Sequence, residues 1–174
     1  GKDFGVNFTY EVQDSPNGLA EAFIIGENFI DNEDVAMILG DNIFEDDFTD
    51  DIKNFQGGGK VFAKQVPDPH RFGVVAFDDN QKAQTIVEKP QEWISDYAIT
   101  GLYIYDSRVV EAAKNVQPSE RGELEITELH NYYLRKGELD VGMVEGSWID
   151  AGTFDSLLEA QNFAKAKMQD KMVI

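Results

Sequence analysis

Two aspartates carry the most suggestive chemistry in this chain. Asp41 follows the apolar run Val35-Ala36-Met37-Ile38-Leu39 and Gly40, and Asn42 comes next. Asp150 lies in Trp148-Ile149-Asp150-Ala151-Gly152-Thr153, which again reads as an extended segment, a carboxylate, a small turn and a helix start. Open α/β sheets place ligands just past the C-terminal ends of buried strands. A hard cation such as Mg²⁺ needs only one or two carboxylates beside substrate phosphates. Each aspartate alone fits turn or helix capping equally well. The pair becomes a metal site only if both reach one sheet edge.

A second group supplies charge for an anion. Glu88-Lys89-Pro90 ends a strand, and Pro90 biases Lys89 toward extended backbone. Lys89 is then either a point charge for a phosphate or an ion-pair partner of Glu88. In Arg121-Gly122-Glu123-Leu124-Glu125-Ile126-Thr127, Arg121 can clamp a phosphate and Glu123 can bond a sugar hydroxyl; helix-entry electrostatics explains the same residues. Gln13 with Pro16, Asn17 and Gly18 can present an amide and bare backbone to a base edge, or form a turn. Gly73, in Asp68-Pro69-His70-Arg71-Phe72-Gly73-Val74, lets backbone approach a ligand closely. His70 and His130 lack metal-ligand spacing, and His70 reads as a surface turn residue. Gly57-Gly58-Gly59 has no Lys-Ser or Lys-Thr after it, so it reads as a flexible connector rather than a phosphate loop.

The elements that must position these residues alternate. Asn7–Gln13 has strand alternation, then Asp14-Ser15-Pro16-Asn17-Gly18 turns, and Leu19, Ala22, Phe23, Gly26 and Ile30 recur at helical spacing. Val35–Leu39 reads as a short buried strand, residues 45–55 as weakly helical, and Lys60–Val66 as a strand. Phe72–Phe77 and Ala83–Glu88 form an expected antiparallel pair, and Tyr97–Tyr105 a long strand with Gly101 in its middle. Helices are expected over Ser107–Val116 with a Ser cap, over Glu125–Lys136, and over Thr153–Met168, which reads as amphipathic; Leu139–Ile149 is extended. The pattern predicts a three-layer α/β domain, residues 1–174, around a mixed sheet.

The chain has 174 residues and a net charge of −18 at pH 7, which opposes binding to nucleic acid or an anionic membrane. No apolar run reaches the ~18 residues of a membrane span. With no cysteine, disulfides, thiolate catalysis and zinc–cysteine sites are excluded, and a reducing cytoplasm suits the chain.

Taken in order, these segments resemble the glucose-1-phosphate thymidylyltransferases, a family of bacterial sugar nucleotidyltransferases. The matching stretches are Val12–Ala20, Leu39–Phe44, Arg71–Val74, Glu88–Pro90, Thr100–Tyr103, Arg121–Thr127 and Trp148–Thr153. The resemblance implies a Rossmann-like nucleotidyltransferase fold and Mg²⁺-dependent transfer from dTTP to glucose 1-phosphate, giving dTDP-glucose and pyrophosphate. Carried over by position, Gln13 and Gly18 read the thymine, and Asp41 and Asp150 hold Mg²⁺. Gly73, Glu88 and Glu123 contact the sugar, while Lys89 and Arg121 bind its phosphate. Phe72 stands where many members have Tyr. The family's leading glycine-rich loop, of the type Gly-Gly-x-Gly-Thr-Arg-Leu, and the Lys after it have no counterpart here. The expectation is therefore a C-terminal, sugar-binding portion lacking its first βα units and inactive alone, from a homo-oligomeric enzyme. A uridylyltransferase making UDP-glucose and a non-catalytic sugar-phosphate-binding module are the alternatives.

Overall fold

Strand β6 (Tyr97–Tyr105) is the centre of the fold, and eight of its nine residues are buried. In the computed structural model, which describes residues 1–171, β3 (Gly59–Gln65) runs antiparallel to it on one side. Beyond β3 lies β7 (Leu139–Met143), parallel to β3. On the other side, β4 (Gly73–Phe77) meets β6 at Ala98, and β1 (Val35–Ile38) runs antiparallel to Leu102–Tyr105. Strand β5 (Ala83–Glu88) pairs with β4, giving the order β5-β4-β6-β3-β7 with β1 beside β6.

Side chains alternate across β6, so its two faces build two cores. Tyr103 and Tyr105 pack with Phe23, Val61, Val109, Leu129 and Tyr133 beneath α1 (Glu21–Ile25), α4 (Arg108–Lys114) and α5 (Ile126–Lys136). Leu102 and Ile104 pack with Phe62 and Val144 on the opposite face. That face is closed by Phe44, Phe48, Phe55 and Trp148, which belong to or flank β2 (Asn42–Phe44), α3 (Thr49–Lys53) and β8 (Trp148–Asp150). Strands β2 and β8 form a separate antiparallel ribbon, with Asn42 opposite Asp150. The expected three-layer mixed-sheet architecture is what the chain adopts.

Several local expectations need correction. The strand expected over Asn7–Gln13 does not form: these residues are exposed and without regular structure, and no ladder among the described residues takes up their backbone groups. The helix expected over Leu19–Ile30 is two short ones, α1 and α2 (Glu27–Ile30), broken at Gly26. Strand β1 is not buried but alternates, with Val35 and Met37 packed on the main core while Ala36 and Ile38, on the opposite face, are uncovered and Ile38 is 59% exposed. Ser107 makes no side-chain cap on α4; the Asp106 carboxylate accepts the Arg108 N–H at 3.1 Å instead. The triple glycine is not slack, since Gly58 N–H donates to Asp106 at 2.7 Å and Gly59 opens β3. Gly57 and Gly58 have φ of 95° and 80°, which explains glycine there.

Helix α5 stops at Gly137, whose φ of 69° is the usual left-handed helix exit. The last helix, α6 (Phe154–Lys171), starts where expected, with Thr153 Oγ1 accepting the Ser156 N–H at 3.2 Å. Its Phe154, Leu157 and Leu158 are exposed, so the amphipathic face expected there is not packed as a whole on this fold. No helix among the described residues is long and apolar enough to cross a membrane.

Candidate active site

Asp41 and Asp150 meet. Strand β1 delivers Asp41 to the start of β2, and the β2–β8 ribbon places Asp150 across from Asn42. Ala151 N–H donates to the Asp41 carbonyl at 2.8 Å, which ties the two turns together. A Cβ placed on Gly152 would lie 3.0 Å from Asp150 Oδ1 and 3.4 Å from Asp41 Oδ2. Both carboxylates therefore border one small space that glycine leaves open. Asp41 Oδ1 accepts from Asn42 Nδ2 at 2.9 Å, and Asp150 Oδ1 accepts from the Gly152 N–H at 3.0 Å. Neither carboxylate has a basic side-chain partner among the described residues.

Asn42 holds this end of the site in place. Its Oδ1 accepts the buried Gly101 N–H at 2.9 Å and the Trp148 Nε1–H at 2.6 Å, while its amide reaches Asp41. A Cβ on Gly101 would sit 2.6 Å from the Asn42 side chain, so Gly101 within β6 makes room for this contact. Trp148 in turn stacks obliquely on Phe72, with ring centroids 5.2 Å apart.

The second group gathers where β5 ends and α5 begins. Gly73 lies opposite Glu88 in the β4–β5 ladder, and a Cβ there would meet Thr127 at 2.8 Å and the Glu88 carboxylate at 3.4 Å. Lys89 departs from expectation: its φ is 42°, left-handed rather than extended. Its N–H donates to the Phe72 carbonyl at 3.0 Å, so the ladder that closes around Gly73 overrides the bias from Pro90. Backbone held in this region is strained. Lys89 Nζ lies 3.9 Å from Glu88, and Arg121 Nη2 lies 3.7 Å from the same oxygen. Arg121 also pairs with Glu123 at 3.2 Å and with Glu125 at 2.8 Å.

Charge and burial set the protonation of this cluster. Burial pushes the Glu88 carboxyl above its ordinary value, the negative charge of Glu125 pushes it further, and Lys89 and Arg121 only partly offset them. Burial also penalises the Glu125 carboxylate, but hydrogen bonds from Arg121 and Ser119 outweigh it and hold that group below the usual glutamate range. The Tyr103 phenol is raised by burial first, then by the charges of Glu88, Asp150 and Asp41. Trp148, in the same strand as Asp150, packs on Phe72, whose carbonyl accepts the Lys89 N–H, and this joins the two groups.

The third expected element, Gln13 with Gly18, sits against the same segment. Gln13 Nε2 donates to the Gly18 carbonyl at 3.1 Å and to Glu21 at 2.6 Å; Asn17 also donates to Glu21, at 2.9 Å. Leu124 N–H donates to the Asn17 carbonyl at 2.6 Å, and Ala20 N–H donates to the Leu124 carbonyl at 3.1 Å. Gly18, at φ 107°, packs against the Leu124 backbone, which leaves no room for a Cβ. The loop thus rides on the segment that carries Glu123 and Glu125. His70 contributes a contact from Nδ1 to the Pro90 carbonyl at 3.1 Å and stands on an exposed turn.

Asn42, Tyr103, Ser119 and Glu125 are the residues the sequence did not single out. Their importance depends on long-range contacts and burial, which have no local signal in the sequence around them.

Residues 1–167 match the family model described as nucleotidyl transferase. The chain is 52% identical over 171 residues to a glucose-1-phosphate thymidylyltransferase of Neisseria meningitidis, covering 95% of this chain and 59% of that protein. Against the protein of the same name from Mycolicibacterium smegmatis, identity is 45%, with the same two coverages. The chain thus spans 59% of the length of each of these relatives. A Bacillus anthracis structure named for the same enzyme and solved with sucrose superposes with a TM-score of 0.86 at 46% identity, covering 94% of this chain and 67% of that one. UDP-glucose pyrophosphorylase complexed with UDP-glucose superposes with a TM-score of 0.81 at 25% identity, covering 92% of this chain and 66% of that one. The family-model match over residues 1–167, with relatives at 52% and 45% identity across nearly all of this sequence, places the chain in the nucleotidyl transferase family.

Proposed function

We propose that this chain is the sugar-binding, C-terminal portion of a glucose-1-phosphate thymidylyltransferase. The reaction joins the phosphate of glucose 1-phosphate to the α-phosphorus of dTTP and releases pyrophosphate. One observation carries the reading: Asp41 and Asp150, far apart in sequence, border one space at Gly152, and Trp148 of the same ribbon packs on Phe72, whose carbonyl accepts the Lys89 N–H of the second cluster. The relatives named above support the choice of nucleotide and sugar.

In this reading catalysis is positioning and charge neutralisation, with little covalent chemistry for the protein to do. Lys89 and Arg121 neutralise the sugar phosphate. Glu88, Glu123 and the backbone at Gly73 orient the sugar hydroxyls. Gln13, whose amide nitrogen is already committed to Gly18 and Glu21, offers its remaining oxygen to the base beside Gly18.

The residues present fit Mg²⁺. Asp41 and Asp150 supply hard oxygen donors around a space that a Cβ at Gly152 would crowd. No group of three or more His, Cys, Asp or Glu side chains among the described residues forms a metal cage, so the other ligands would be phosphate oxygens and water. Bound there, the ion would neutralise charge on the phosphates. The same proposal includes a cytoplasmic, homo-oligomeric enzyme.

The likeness to UDP-glucose pyrophosphorylase favours one competing reading, a uridylyltransferase. The test is release of pyrophosphate from dTTP or UTP with glucose 1-phosphate, using the protein as its gene encodes it. Turnover with dTTP exceeding that with UTP is expected; the reverse preference establishes the uridylyl reading, and no turnover with either leaves a binding module. Asp150→Asn is expected to lower kcat at least tenfold and to raise the Mg²⁺ concentration needed for half-maximal rate. A wild-type Mg²⁺ titration curve in that variant would remove Asp150 from the metal site.

A further inference from the structure

Arg121 meets more carboxylate than one guanidinium needs. Its Nε donates to Glu125 Oε1 at 3.1 Å, and its Nη2 donates to the two Glu125 oxygens at 2.9 and 2.8 Å. The same Nη2 reaches Glu123 Oε2 at 3.2 Å and lies 3.7 Å from Glu88. All of these contacts fall on one edge of the guanidinium plane. Nη1, at the opposite corner, makes no contact of this kind among the described residues. Because the guanidinium is rigid and planar, fixing the Nε–Nη2 edge also fixes where the Nη1 hydrogens point.

Glu125 is unlike the other two carboxylates. The residue is only 8% exposed, whereas the Glu123 side chain is 40% exposed. Glu125 occupies the cap position of α5, so its backbone cannot shift without moving that helix. Ser119 Oγ donates to Glu125 Oε1 at 2.6 Å and accepts the backbone N–H of Arg121 at 3.2 Å. Serine, glutamate and arginine therefore close a ring that braces the guanidinium from both its backbone and its head.

We infer that Glu125, braced by Ser119, is a positioning residue that aims Nη1 of Arg121 at the phosphate of the sugar substrate. The inference rests on the reading that puts Arg121 at that phosphate. Without the buried carboxylate, the guanidinium is left to Glu88 and Glu123, which are more exposed and reach only Nη2, so Nε loses its acceptor and the Nε–Nη2 edge is no longer fixed. Its charge stays near the site but its donors no longer converge on one point, and convergence is what separates a bidentate clamp from a diffuse cation.

The test compares KM for glucose 1-phosphate with KM for dTTP in the protein as its gene encodes it. Glu125→Gln should raise KM for glucose 1-phosphate about tenfold and leave KM for dTTP within about twofold, with Glu125→Asp intermediate. Ser119→Ala should show the same selectivity at about threefold, and it decides the matter if Glu125→Gln does not fold. Equal changes in both KM values, or none for glucose 1-phosphate, overturn the inference. Wild-type protein that transfers nothing to glucose 1-phosphate overturns the functional reading itself, an outcome visible before any variant is made.

Discussion

At the scale of single residues, Lys89 shows how a long-range backbone contact and local preference compete. A lysine before proline has no intrinsic reason to adopt φ 42°, yet the bond from its N–H to Phe72 fixes it there. Glycine tolerates that backbone without strain. Lys89→Gly is therefore expected to be more stable than Lys89→Ala by about 1 kcal/mol in chemical denaturation. Both variants should raise KM for glucose 1-phosphate more than KM for dTTP; equal effects on the two substrates would contradict the phosphate role. Asn42 is the complementary case, a residue whose own chemistry is unremarked but whose three hydrogen bonds orient Asp41, Gly101 and Trp148. Asn42→Ala leaves a buried N–H and an indole N–H without their acceptor. A loss of about 2–3 kcal/mol in unfolding free energy is expected, together with a weaker response to Mg²⁺.

At the scale of elements, helix α5 and strand β6 share a buried histidine. His130 Nδ1 meets the Tyr105 hydroxyl at 2.6 Å, its ring lies 5.0 Å from that of Tyr103, and Nε2 has no partner among the described residues. Burial holds the imidazole neutral, lowering its pKa to about 3 from an ordinary 6.5. Protons therefore bind this group in the unfolded chain first, and stability is lost as pH falls from about 6.5 toward 3. In His130→Gln that part of the slope should vanish, at up to about 1.4 kcal/mol per pH unit, in denaturation curves taken across this window. Identical slopes in variant and wild type would mean the imidazole is already charged in the fold. The elements themselves were readable where composition and punctuation agree: β6 runs from Tyr97 to Tyr105, a stretch rich in β-branched and aromatic residues, and α5 ends at Gly137 as its glycine suggests. Residues 6–13 show the opposite. Their alternation is real, but a strand is a relation between two segments, and one segment's pattern cannot supply the other.

At the scale of the whole molecule, charge dominates. With −18 overall, many of the cations are already spent on neighbouring carboxylates: Lys60 on Asp51 and Asp140, Lys114 on Glu27 and Glu111, Arg108 on Asp106 and Glu138. Self-repulsion on this surface should be relieved by salt, so Tm is expected to rise by a few degrees between about 0.05 and 0.5 M NaCl. A Tm that falls over that range would show that the ion pairs outweigh the repulsion. The candidate site was legible as residue types and motif order, because turns and strand ends have local signatures. What joins its parts was not, because Gly101 facing Asn42 and Glu125 beneath Arg121 are matters of long-range register and depth. The β2–β8 ribbon has a further consequence. Its two short strands lie more than a hundred residues apart along the chain, so the paired carboxylates do not exist until the ribosome has made both. During synthesis the nascent polypeptide holds Asp41 alone, and the paired arrangement forms only after the chain has grown by more than a hundred residues to Asp150.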